Sequence, residues 1–239
     1  LVIDIRDEHG TSVPARVAVI GSDGRAIASA NGWMHADDGF NRKLQAAEMH
    51  YFHCPGRCVL EAPAGKTTVW VQRGFRYLPW QESVELKAGF EKLLSARLEL
   101  NDLPTAFGKF RSADLHVHMN YGGAYRNTPA NLTAQAQSED LDAVYNLIVN
   151  KEERIPDIGI PVGCDPASTP GTLVMHSQEF HTSYWGHLGL LGLSDHVLTP
   201  DFSAYRHTAL ASPYPYNGKV SDLAHAQGRW SDMSIRTTG

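Results

Sequence analysis

The sequence predicts two domains, an all-β sandwich followed by an α/β domain, and three observations carry that expectation. Residues 1–103 are a succession of short alternating runs cut by Gly, Asp and Pro, which is the text of a small sandwich. Residues 104–112 break the pattern with Pro104 and Gly108 and read as a linker. From residue 113 to 239 the pattern becomes strand, helix, strand, the unit of an α/β domain. At 239 residues and 42% hydrophobic, the chain can supply two cores.

In order along the chain, "LVIDIRD", "ARVAVI", "RCVLEAP", "AGKTTVWVQ", "ESVELKAG" and "LLSARLEL" read as strands of an antiparallel sandwich, with "GSDGR" and "PAGK" as tight turns. After the linker, "DLHVHM" reads as a strand. "TPANLTAQAQSED" reads as a helix with Thr128 as N-cap, Pro129 in the first helical position, and Leu132 and Ala136 on one face. "LDAVYNLIV" suits a strand buried on both sides, and "GTLVMHSQEF" and "HLGLLGL" supply two more.

A formal charge of -5 with no run of Lys or Arg gives no electrostatic footprint for nucleic acid or an anionic membrane. No stretch is long and apolar enough for a membrane helix, so the expected partner is a small-molecule substrate or a protein. The three cysteines are too few for a disulfide-built scaffold. Because Leu1 already lies inside a strand-like run without a methionine, a chain clipped at its start is expected.

Chemistry concentrates in two places. In "SADLHVHMNYGG", His116 and His118 are two apart and share a face of their strand, where two imidazoles can meet one divalent ion. Asp114 falls on that face too, as a ligand or as the orienter of a histidine. In "SQEFHTSYWGHLGLLGLSDH", Glu179, His181, His187 and His196 gather at the ends of apolar runs. A carboxylate able to bridge two ions, with a histidine beside it, is what a dinuclear hydrolase requires.

"SADLHVH", "EDLDAVYNLIVNKEERIPD" and "EFHTSYWGHLGLLGL", in that order, resemble the PHP-type metallohydrolases, in the branch that includes the aryl carbamate (carbaryl) hydrolases. The resemblance covers roughly Arg111 to Gln227. It implies a distorted β/α barrel holding two or three divalent ions (zinc, manganese or iron) and hydrolysing phosphoesters, carbamates, esters or amides. By the same resemblance His116, His118, Glu179 and His187 are metal ligands, Glu179 the bridging carboxylate. His181 is expected to handle substrate or protons, and Asp114 to anchor a ligand histidine. The front module, through "APAGKTTVWVQRG", resembles the carboxypeptidase-regulatory-like β modules fused to exported enzymes, which implies a periplasmic or extracellular address.

The chain departs from the family pattern in two ways. Its second strand lacks the Asp-His pair, with Val149 in the histidine's place; Asn146 or Asn150 would offer a carbonyl oxygen there, or Lys151 a site for a substrate anion. It also stops before the later motifs, so the barrel is expected to be incomplete. The ending "RWSDMSIRTTG" matches nothing in the family, and one set of permitted codons reads in another frame as a strand closing on His-Pro. A slipped frame from about Arg229 is therefore expected.

Two further groups stand apart. "HYFHCPGRC" carries His50, His53, Cys54 and Cys58, either a structural zinc site or a Pro-Gly turn bearing two nearby thiols. Tyr184 and Trp185 offer a wall for an aromatic leaving group or ordinary core. No nucleophile elbow, phosphate-cradling loop or dinucleotide fingerprint is present. Three functions follow: a metal-dependent hydrolase, a non-catalytic remnant in which the β module is a binding or docking unit, and a metal-binding protein without catalysis.

Overall fold

The computed structural model describes residues 1–36, 49–104, 108–121, 126–149, 156–182, 184–199 and 213–227, together with the backbone of 234–237. The chain divides into two compact units, one of residues Leu1–Ser112 with Ala134–Leu141, the other of Ala113–Thr133 with Asp142–Gly239. Among the described residues it is β-rich in both, with three sheets and few helices.

In the first unit, β1 (Val2–Arg6) lies between β5 (Arg57–Val59) and β8 (Leu93–Arg97) in a three-stranded sheet. A five-stranded sheet runs in the order β3 (His35–Ala36), β4 (His50–Cys54), β2 (Ala15–Ile20), β6 (Gly65–Gln72), β7 (Trp80–Leu86). The alternation of "GKTTVWVQ" appears directly as burial: Thr67, Val69 and Val71 face inward and are fully buried. One core draws on both sheets through Ile3, Ile5, Val17, Phe52, Val69 and Leu94. Each such side chain contributes roughly 1.5–3 kcal/mol by leaving water. The expected sandwich was antiparallel throughout, but β1 and β8 pair in parallel, Val2 with Leu93 through Arg6 with Arg97.

The chain crosses from the five-stranded to the three-stranded sheet at "CPGRC", and a Cys54–Cys58 disulfide closes that corner. Gly56 sits in it at φ +121, and a Cβ there would collide with Ser12 Oγ. With the two sulfurs joined to each other, the zinc reading of His50, His53, Cys54 and Cys58 is withdrawn; the Pro55-Gly56 turn with two nearby sulfurs stands, the sulfurs forming a disulfide rather than two thiols. His53 instead meets Glu139 Oε1 through Nε2 at 2.7 Å, an oxygen that also accepts from Arg16 Nε at 2.8 Å.

The second unit is built on one open sheet in the order β14 (Ser234–Thr237), β13 (His187–Leu190), β12 (Leu173–Phe180), β10 (Ala143–Val149), β9 (Ala113–Val117), with the short β11 (Gly163–Cys164) also on β12. Strands β9, β10 and β12 are mutually parallel, and β11, β13 and β14 add antiparallel pairs. Among the described residues this path does not close into a barrel. Helix α1 (Pro129–Ser138) starts where the sequence places it: Asn131 N–H donates to the Thr128 hydroxyl, and Leu132 and Ala136 are buried. Helix α2 (Asn217–Gln227) turns Val220 and Ala224 into a core with Phe180, Leu188 and Leu190.

Candidate metal centre

Strand β9 delivers His116 of the HxH pair, and His118 follows one residue past its end. The strand carries one residue more than β10 between paired positions, since Asp114 opposes Val144 while Val117 opposes Asn146. Such a bulge takes a backbone N–H out of the ladder. Asp114 Oδ1 accepts the His116 backbone N–H at 3.0 Å, so this carboxylate serves the bulge. It was expected to anchor an imidazole, and it holds the main chain instead.

Glu179 enters from β12, opposite Val149 on one side and Gly189 on the other, and is buried. Its two oxygens face different partners. Oε2 lies 2.9 Å from His116 Nε2 and 2.7 Å from His118 Nε2. Oε1 lies 2.8 Å from His187 Nδ1 and 3.8 Å from His181 Nδ1, and these two rings lie close and tilted, with centroids 3.7 Å apart and planes 37° apart. Burial pushes the Glu179 carboxyl up, but hydrogen bonds from His118 and His116, with the charges of His118 and His187, outweigh it and lower the group to about 2. The carboxylate is therefore an anion across the working range.

The donor atoms fit a divalent ion. His116 Nε2, His118 Nε2 and Glu179 Oε2 form a triangle with edges of 3.2, 2.9 and 2.7 Å. Donors held at roughly 2.0–2.1 Å from one ion stand about 3.0 Å apart in octahedral and about 3.3 Å apart in tetrahedral geometry. A second set of three, Glu179, His181 and His187, also brings its donor atoms within 4.8 Å of one another. His118 donates its Nδ1–H to the Leu147 carbonyl at 2.8 Å, which leaves Nε2 as the atom facing the centre. Imidazole and carboxylate together suit zinc, manganese or iron.

The structure thus brings His116, His118, Glu179 and His187 together and adds His181, which stands in the second donor set. His196 joins neither set among the described residues; it is exposed and pairs through Nδ1 with Asp195 at 2.8 Å. Asn146 is fully buried with its Oδ1 on the Met119 N–H at 2.9 Å, so its carbonyl is not offered to an ion. Asn150 and Lys151 lie outside the described residues. Trp185 is exposed and donates its indole N–H to the Pro213 carbonyl, while Tyr184 N–H donates to Thr182 Oγ1. Tyr121 meets a histidine of the site, its ring centred 5.0 Å from that of His118, which its place three residues past the HxH pair signals only in hindsight.

No protein-family model, no curated protein and no solved structure matches the chain.

Proposed function

We propose that the chain is a metal-dependent hydrolase of the PHP type, acting on an ester, carbamate, amide or phosphoester of a small molecule. One observation carries the reading: a single buried carboxylate presents one oxygen to His116 and His118 and the other to His187 and His181. Three parallel strands, β9, β10 and β12, two of which bring ligand residues to one place, are compatible with the opening of a distorted β/α barrel. The two sheets sharing a core in the first unit fit a carboxypeptidase-regulatory-like sandwich. A disulfide in that unit favours an exported enzyme, because such bonds persist in oxidising compartments.

Divalent ions held there would acidify bound water and polarise the carbonyl or phosphoryl oxygen of the substrate. Glu179 supplies fixed negative charge between the two histidine sets, and the Leu147 carbonyl orients His118. His116, the most exposed of the four rings, opens the centre to solvent and substrate. His181, its ring tilted against that of His187, can move a proton or complete the second set.

The test is elemental analysis of the purified chain and turnover of aryl ester, carbamate and phosphoester substrates with added manganese or zinc. Stoichiometric metal and turnover are expected, both abolished by His116→Ala. Absence of both returns the chain to a non-catalytic role in which the β module is the binding unit. Metal without turnover makes it a metal-binding protein, and a His116→Ala protein that keeps both defeats the site.

A further inference from the structure

Behind the HxH strand runs a buried polar chain that the metal centre itself does not use. Asn146, fully buried on β10, is its hub: Oδ1 accepts the Met119 backbone N–H at 2.9 Å, and Nδ2 donates to Asp157 Oδ2 at 3.2 Å and to His176 Nδ1 at 3.1 Å. The far ends are tied as well. His176 Nε2 donates to Asp165 Oδ2 at 2.8 Å, and Asp157 Oδ1 accepts from Asn120 Nδ2 at 2.8 Å. Only one orientation of the amide works, since the flipped one would set Nδ2 against an N–H and Oδ1 against a carboxylate oxygen.

We infer that Asn146 is a positioning residue for His118, resting on the reading of this site as a metal centre. The peptide joining His118 to Met119 is held at its N–H by the Asn146 side chain, and the His118 ring is held by the carbonyl of the next residue, Leu147. Two consecutive residues of β10 therefore fix both the backbone and the imidazole of one ligand. Asn120 and Asp157 extend the grip to the residue after Met119. Partners of this kind, one step behind a metal ligand, typically change metal affinity by roughly 10–100-fold when removed.

The test compares the full chain with Asn146→Ala, Asn146→Asp and Asp165→Asn, by cobalt(II) titration followed in the visible bands and, without metal, by the NMR signal of the His118 Nδ1–H. Asn146→Ala is expected to stay folded, to bind cobalt at least about tenfold more weakly with altered bands, and to lose the His118 signal. Asn146→Asp, with its carboxyl protonated, keeps an oxygen for Met119 and an O–H donor toward Asp157 in place of the amide N–H, and is expected to restore both, while Asp165→Asn, remote from Met119, leaves both unchanged. A folded Asn146→Ala protein with unchanged affinity, bands and His118 signal overturns the inference. If Asn146→Ala fails to fold, a native Asn146→Asp protein that has lost the His118 signal overturns it, and one that keeps the signal supports it. If the parent takes up no cobalt, the metal reading fails, and the NMR comparison alone decides the role of Asn146.

Discussion

Two titratable side chains tie the stability of the first unit to pH, and they act in the same direction. Burial pushes the His35 imidazole below its ordinary 6.5, with His53 and Arg16 pushing the same way and Glu139 opposing. Burial raises Glu139, but hydrogen bonds from His53 and Arg16, and their charges, leave it below its ordinary 4.5. In both cases the unfolded chain takes up the proton first. The His35 contribution is complete above 6.5 and is lost as pH falls through its lowered folded value; the Glu139 contribution is complete above 4.5 and fades below it. Guanidinium midpoints should therefore fall steadily from about pH 7.5 to about pH 4, and His35→Gln should flatten the upper part of that fall. At this scale the HxH pair and Glu179 were legible, because period-2 alternation and a carboxylate among histidines are local features. The role of Asp114 was not, because it follows from a bulge that only the pairing of β9 with β10 creates. Nor was Asn146, whose partners lie at 119, 157 and 176.

Among the elements, the corner between β4 and β5 carries the most specific chemistry. Cys54 and Cys58 are both buried there, and their bond closes a loop of only a few residues. A short loop removes little entropy from the unfolded chain, so the paired substitution Cys54→Ala with Cys58→Ala should cost about 2 kcal/mol in chemical denaturation. A loss near zero would mean that the sulfurs stabilise nothing beyond their packing. Helix α1 was legible from Thr128 and Pro129 because a cap and a first-turn proline are written in adjacent residues. The parallel pairing of β1 with β8 was not, since nothing local in "LVIDIRD" or "LLSARLEL" specifies which distant run lies beside it, or in which direction.

For the whole molecule, the donors of the candidate centre, His116, His118, Glu179, His181 and His187, all come from the second unit. Ions that bind only the folded form stabilise that form by mass action. A chelator should therefore raise hydrogen exchange in β9, β12 and β13 of the metal-loaded protein and leave β1, β2 and β6 unchanged. Equal loss of protection in both units would refute this division of labour. The strand-rich text of residues 1–103 was visible in the sequence, whereas the assignment of Ala134–Leu141 to the first unit and the open path of the second sheet depend on long-range packing and strand order, which side-chain periodicity does not encode. The sulfur tie at the β4–β5 corner has one more consequence. Arg57, between the two cysteines, is exposed. A protease nick at that arginine would leave the pieces travelling as one species until a thiol reductant parts them.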